Sequence, residues 1–191
     1  MNIMEQNVLK KKKNMWNAAG VAGLALGSVS TAYLFAGQWI AGDLDPAVLW
    51  QQIVAMVLWA AKLAACIWLM KFFMTRFASE NKGIENKTVF KMGMMTALLS
   101  AIMYSAIYLA NMLYISADFY EHTYQTMIQQ MAPVMDSNSQ SLMEKLIAHM
   151  PQLMFSYNMI YCFLFGTVLS AILSRSIPAK GQFAEYKTDE Q

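Results

Sequence analysis

The residue of this sequence whose type and position most clearly suggest a chemical role is Lys62, the only charged side chain inside four long apolar stretches. It is the fifteenth of the 23 residues from Val48 to Met70, slightly past the middle of its stretch. If that stretch is a membrane helix, a charged lysine near its centre costs roughly 2.5 to 3.5 kcal/mol on insertion scales. Three interpretations are open. The side chain extends to the lipid headgroups, it is neutral and hydrogen-bonded to polar side chains of other helices, or it binds an anionic group of a lipid, a substrate or a partner.

Tyrosine and asparagine side chains recur at helical spacing in two of the other apolar stretches. Tyr104, Tyr108 and Asn111 fall on one helix face, and Tyr161 lies in the last stretch. Together with Lys62 they predict a small polar cavity within the membrane. The alternative is that these groups hydrogen-bond between helices, as most polar side chains in membrane helices do.

A further group of residues, between the third and fourth stretches, has side chains that bind metal ions in other proteins. Thioethers suit Cu(I) and imidazoles suit several transition metals, and the candidate ligands are His122, Met127, Met131, Met135 and His149. Because the chain has 18 methionines, a packing stripe is the favoured interpretation, and we expect no cofactor. The sequence has no phosphate loop, HExxH, CxxC or nucleophile elbow, so we expect a protein that is not an enzyme.

The elements that position these residues follow from the composition. The sequence has 191 residues, of which 57% are hydrophobic and 14% charged, with a mean hydropathy of +0.33, whereas soluble domains have about 25% charged residues. The apolar stretches cover residues 17–40, 48–70, 92–115 and 153–173. Each is longer than the about 20 residues that a helix needs to cross a bilayer. The sequence therefore predicts a single all-α membrane domain over residues 1–191, a four-helix bundle, and gives no support for nucleic-acid binding.

Basic residues lie almost entirely on one side of the predicted bundle. Twelve of the 14 Lys and Arg residues flank the helices on the side of the two termini, whereas the opposite side has only Lys145. Cytoplasmic flanks retain Lys and Arg. We therefore expect both termini in the cytoplasm, including the tail over residues 176–191.

The connecting segments differ in length. Residues 116–152, predicted outside the cytoplasm, are long enough for two short amphipathic helices, the second opened by a capping box at Ser141 and Glu144. Such helices bury their apolar faces on the bundle, in the headgroup layer or on a partner. Residues 75–91 are predicted to form a solvated connector, and residues 42–46 a tight turn.

Small residues recur every four positions in the predicted helices and allow close contact between helix backbones in lipid. These positions are Gly23 and Gly27 in the first helix and Gly166 and Ser170 in the last. Packing within one bundle is the favoured interpretation, and a homodimer interface is the alternative. The two cysteines, Cys66 and Cys162, lie inside predicted helices, where they are expected to act as small apolar residues.

The layout also resembles a known family. The pair Asp118-Phe119 after the third helix, and the run from Leu169 to Arg175 that follows Gly166, are similar to the bacterial domain of unknown function family 4199. The resemblance covers nearly the whole chain and implies an uncharacterised four-span protein of the bacterial inner membrane. It also implies members encoded near a membrane glycosyltransferase that acts on a polyprenyl-phosphate carrier, which makes such an enzyme a candidate partner.

These observations favour a non-enzymatic accessory or scaffold subunit of an envelope-related membrane complex. Its expected partners are the lipid bilayer and a membrane protein or a second copy of the chain. The alternative is a small transporter or lipid-binding protein that uses the polar cavity around Lys62.

Overall fold

The protein is all-helical throughout the part of the chain that the structure, a computed structural model, describes: residues 3–42, 49–81, 84–131, 133 and 136–177. The helices are α1 (Ile3–Gly42), α2 (Leu49–Glu80), α3 (Asn86–Ala110), α4 (Ala117–Met131), α5 (Ser137–Ala148) and α6 (Met150–Ser176). A π-helical turn over Asn111–Ile115 continues α3. No strand occurs among the described residues, which confirms the predicted all-α class.

Four of these helices are long and apolar enough to cross a membrane, as predicted. The spans are Lys13–Ile40, Gln52–Glu80, Asn86–Ile115 and Met150–Ser176. Their length follows from continuous apolar sequence, since a helix rises 1.5 Å per residue and a bilayer core is about 30 Å thick. The fold is therefore that of a multi-pass membrane protein.

Helix α3 lies at the centre of the bundle, with α1 and α6 packed against it and α2 packed chiefly on α1. In the most apolar stretch of each span, 28% of the residues of α1 and α3 are buried within the bundle, but only 6% of those of α2. Several large apolar side chains of α2, among them Met56 and Trp68, are exposed, whereas Met70, Met74 and Phe77 near its end are buried in the core. The outer surface of α2 is thus suited to lipid.

Helices α1 and α3 run parallel and meet at two glycines. A Cβ added at Gly23 would lie 2.8 Å from the Cβ of Leu99, and one added at Gly27 would lie 2.7 Å from the Sδ of Met103. Carbon atoms in contact are normally 3.5–4.0 Å apart. The absence of a side chain at these glycines is what lets the two helices approach so closely.

Helices α3 and α6 are antiparallel and pack in the same way. A Cβ added at Gly166 would lie 2.5 Å from the Cβ of Ala97, and one added at Gly93 would lie 2.7 Å from the Oγ of Ser170. Ser170 is fully buried, and its hydroxyl donates to the carbonyl of Gly166 at 2.7 Å. The small residues of α1 and α6 are thus contacted by α3 of the same chain.

The connector between the second and third spans is shorter than predicted. Helix α2 continues through residues 75–80, beyond the end of its apolar stretch, and α3 begins at Asn86. On the last turn of α2, Arg76 Nε lies 2.8 Å from Glu80 Oε1, an i,i+4 pair of the kind that supports an exposed helix. The predicted turn over residues 42–46 lies, apart from Gly42, outside the described residues.

Two short helices follow the third span, and the predicted start of the second is wrong. Helix α5 begins at Ser137 rather than at Ser141, because Asp136 is its N-cap and its Oδ1 accepts a hydrogen bond from the Ser139 N–H at 3.0 Å. The Ser141 hydroxyl instead donates to the carbonyl of Asn138. Helix α4 has no fully buried residue. One of its faces, with Tyr120, Tyr124 and Ile128, is half-buried, whereas Phe119 and Met127 are exposed.

Candidate functional site

The Lys62 side chain points into the bundle, where two tyrosine rings flank its amine. The Lys62 Nζ lies 4.7 Å from the ring centroid of Tyr33 on α1 and 5.1 Å from that of Tyr104 on α3. A cation within about 6 Å of an aromatic face is attracted by the negative charge on that face. The two rings therefore attract the amine to a position between α1, α2 and α3.

A cavity of about 110 Å³ lies beside this amine, bounded by all four spans. We call it the Lys62 cavity. Its polar lining residues are Ser30, Lys62, Cys66, Ser100, Tyr104, Tyr161 and Cys162. The remainder of the lining is apolar and includes Leu26, Trp59 and Phe165. The cavity is thus an apolar space with one cation and several hydroxyl and thiol groups.

The described lining of the Lys62 cavity contains no carboxylate. In the sequence of the four spans, the only acidic residue is Glu80, at the far end of α2 and already paired with Arg76. Lysine amines, tyrosine and serine hydroxyls and thiols can all donate hydrogen bonds. The site therefore offers a positive charge and several donors, with no acid of its own to neutralise that charge.

Asn111, predicted to belong to the same polar site, lies in a separate hydrogen-bond network at one end of the bundle. Its Nδ2 donates to the Tyr120 hydroxyl at 3.3 Å, and its Oδ1 accepts from the Ser116 hydroxyl at 3.1 Å. Gln38 Nε2 on α1 also donates to the Tyr120 hydroxyl, at 2.8 Å. This Asn111 network fixes the start of α4 to the ends of α1 and α3.

Tyr108 lies between the two sites. Its ring centroid is 6.1 Å from that of Tyr104 and 6.3 Å from that of Tyr120. The predicted set of five residues is thus divided: Lys62, Tyr104 and Tyr161 line the cavity, Asn111 belongs to the other network, and Tyr108 connects them through ring contacts.

The residues proposed as metal ligands are spread along α4 and beyond α5. His122 and Met127 are exposed, and the exposed ring of His149 has its Nδ1 2.9 Å from the Lys145 carbonyl oxygen. Met131 is half-buried at the end of α4, and Met135 lies outside the described residues. Within the described part of the chain, no three His, Cys, Asp or Glu side chains come close enough to hold a metal ion.

Several residues in or beside the Lys62 cavity were not predicted as site residues. Cys66 and Cys162 were expected to act as small apolar residues, and Ser30 in the lining and Tyr33 beside Lys62 were not predicted. In the structure both thiols are free and line the cavity, and Ser30 Oγ lies 4.0 Å from Cys66 Sγ. A polar residue near the middle of an apolar stretch was the available signal for Tyr33, as it was for Tyr104.

Comparison with known proteins places the whole bundle in one family. The sequence model of a family described as a protein of unknown function, DUF4199, matches residues 20–175. The chain belongs to this family. The match extends from α1 to the end of α6 and confirms the resemblance expected from the sequence. No curated protein and no solved structure matches the chain. The description of the DUF4199 family names no activity.

Proposed function

We propose that this DUF4199 protein is a small transporter or lipid-binding protein that binds an anionic group in the Lys62 cavity. The observation that carries the proposal is a lysine amine, held between two rings inside a four-helix bundle, with no carboxylate in the described lining of its cavity. Charged residues within membrane helices usually mark functional sites or are paired with an opposite charge. An anionic ligand supplies the missing opposite charge.

The tyrosine rings explain how the site persists without a ligand. A cation over an aromatic ring gains about 0.5 to 2 kcal/mol, depending on its desolvation, against a cost of roughly 2.5 to 3.5 kcal/mol for a charged lysine at the centre of a membrane helix. Two rings offset much of this cost. They do so without accepting the strong hydrogen bonds that the amine can donate, and those remain for a carboxylate or a phosphate oxygen.

The first test compares two lysines of α2 by native mass spectrometry of the protein purified in mild detergent. We expect the wild type to retain an anionic adduct from the host membrane and Lys62→Met to lose it, while folding remains intact or improves. Lys71→Met is the matched control, because Lys71 is exposed on the same helix and does not line the cavity. An adduct that Lys62→Met retains at the wild-type level refutes the proposal.

A second role, as a non-enzymatic accessory subunit, rests on the helices between the third and fourth spans. Helices α4 and α5 expose large apolar side chains, including Phe119, Met127, Leu142 and Leu146. The partner we propose is a membrane glycosyltransferase acting on a polyprenyl-phosphate carrier, with a second copy of the chain as the alternative. Crosslinking in membranes before purification tests this role. A stoichiometric complex with the glycosyltransferase, weakened by Leu142→Glu with Leu146→Glu, supports it, and a chain recovered alone contradicts it.

The proposed setting is the bacterial inner membrane, with both termini in the cytoplasm and α4 and α5 outside it. The charge difference between the two sides of the bundle supports this orientation. Reporter fusions after Lys12, Lys82 and Lys187 are expected to be active only as cytoplasmic reporters, and fusions at Asp45 and Ser137 only outside. A cytoplasmic signal at Ser137 would overturn the orientation.

A further inference from the structure

We infer that the ligand of the Lys62 cavity is a single-chain lipid with a small anionic head, which reaches the amine sideways from the membrane between α2 and α6. This inference rests on the proposed function, since it names the class of ligand and its route. It depends on three observations: the exposure of residues that line the cavity, the volume of the cavity, and a strip of stacked rings on α6.

The wall of the cavity between α2 and α6 is also part of the outer surface of the bundle. Trp59 on α2 and Tyr161 and Phe165 on α6 line the cavity, and yet they are 52%, 53% and 40% exposed. Helix α2 packs chiefly on α1, is the least buried span and has little contact with α6. A ligand that enters between α2 and α6 therefore displaces few packed side chains. The surface exposed here belongs to apolar spans and faces lipid, so the shortest route to Lys62 starts in the membrane.

The volume of the cavity limits what fits beside the amine. A cavity of about 110 Å³ is much smaller than the sites for drug-sized ligands, which have about 300 to 1,000 Å³. A carboxylate or a phosphate monoester fits this volume, but a sugar or a whole lipid does not. The remainder of any larger ligand must therefore lie outside the cavity, against the surface next to its opening.

That surface suits one hydrocarbon chain. Tyr157, Tyr161 and Phe165 stack along α6, with ring centroids 6.0 and 6.3 Å apart and planes only 12° and 14° from parallel. Near-parallel rings at successive turns form a continuous strip of ring faces one ring wide, which runs from Phe165 and Tyr161 at the cavity wall to Tyr157 outside it. A single alkyl chain can cover this strip while its head contacts Lys62, and the second chain of a two-chain lipid would gain no contact with the rings.

The experiment uses tryptophan quenching by a brominated lipid. The chain has five tryptophans, and a variant that retains only Trp59 reports on the cavity opening. The matched control retains only Trp68, which is on the same helix and 65% exposed but does not line the cavity. Both variants are reconstituted in phospholipid vesicles and titrated with dibromostearate, a brominated alkyl phosphate and the neutral dibromostearyl alcohol. Size-exclusion chromatography checks that each variant is folded.

We expect either anionic probe to quench Trp59 along a saturable curve, and Lys62→Met to raise the half-saturation concentration at least tenfold. The alcohol should quench Trp59 only in proportion to its content in the membrane, and Trp68 should respond in that way to every probe. Whichever anionic probe saturates at the lower concentration distinguishes a carboxylate from a phosphate head.

Two outcomes separate the inference from the proposed function. If native mass spectrometry finds an adduct that depends on Lys62, but Trp59 shows no saturable quenching, the amine binds an anion of another class and the inference is wrong. If no adduct depends on Lys62, the proposed function fails first and the inference fails with it. Saturable quenching by the alcohol equal to that by the acid also refutes the inference, because the head would then need no charge.

Discussion

Replacing Gly166 with alanine tests the tightest contact of the bundle. The added Cβ would lie 2.5 Å from the Cβ of Ala97, about 1.0 to 1.5 Å closer than carbon atoms in normal contact. Helices α3 and α6 must therefore move apart, and a gap of 0.5 to 1 Å already removes about a quarter to a half of the dispersion energy of the atoms concerned. Overpacking of this kind costs about 1 to 3 kcal/mol.

Replacing glycine with alanine also stabilises a helix through its higher helix propensity, and a substitution at Gly20 measures this effect alone. Alanine in a helix is about 1 kcal/mol more favourable than glycine, and at Gly20 on α1 an added Cβ meets nothing within 4 Å. We expect Gly20→Ala to be neutral or to stabilise by up to about 1 kcal/mol. Gly166→Ala should have a free energy of unfolding about 2 kcal/mol below that of Gly20→Ala, since only the packing cost differs between them.

The assay is unfolding of the purified protein by sodium dodecyl sulfate in mixed micelles, followed by circular dichroism. A double variant makes the test specific: Ala97→Gly with Gly166→Ala transfers the methyl group across the interface and should recover most of the loss, because the clashing atom has gone. Coupling energies between contacting residues are about 0.5 to 3 kcal/mol. Equal stability of Gly166→Ala and Gly20→Ala would refute the reasoning.

Two further predictions concern the elements around α4 and α5. Asn111→Leu should destabilise the attachment of α4 by about 0.6 kcal/mol and at most about 1.7 kcal/mol, the average and the maximum for hydrogen bonds between membrane helices. Faster hydrogen exchange in α4, with the spans unchanged, is the expected result, and unchanged exchange in α4 would contradict the role of the Asn111 network. The pKa of Asp136 is lowered from its ordinary value of 3.8 by hydrogen bonding to Ser139. The cap therefore stabilises α5 fully at pH values above 3.8, and this stabilisation is lost as the pH falls through the lowered pKa. The amide proton of Ser139 should titrate with a midpoint below 3.8 by NMR and should not titrate in Asp136→Asn, which keeps an acceptor oxygen; a midpoint at or above 3.8 would show that the cap does not favour the carboxylate.

The number of spans and the helical class could be predicted because they depend on local composition. The end of α2 could not, since hydropathy detects apolar sequence rather than helix. Lys71 and Arg76 end the apolar stretch, but they are good helix formers, and the pairing of Arg76 with Glu80 supports another turn. The start of α5 was missed for a similar reason: Asp136 and Ser141 are both acceptable caps, and the sequence alone does not decide which one the backbone uses.

The candidate site shows where a single sequence stops being informative. Helical spacing predicts Tyr104 and Asn111 on one face, but the seven positions that separate them correspond to about 10 Å along the helix axis, enough to place them in different environments. Which helix approaches each environment depends on packing. The approach of Tyr33 to Lys62 follows from the contact between α1 and α2, and the approach of Tyr120 to Asn111 follows from the turn that ends α3.

The central position of α3 also determines the order in which this protein can assemble during synthesis. The first and fourth spans both pack on α3. Helix α1 therefore lacks its main packing partner until α3 has been inserted, because it packs less extensively on α2. The face of α3 that carries Gly93 and Ala97 then stays open to lipid until α6 leaves the ribosome. A chain truncated before residue 150 would leave that groove of small residues without the helix that fills it, so the close packing on this face of α3 depends on a helix that is made after α3 itself.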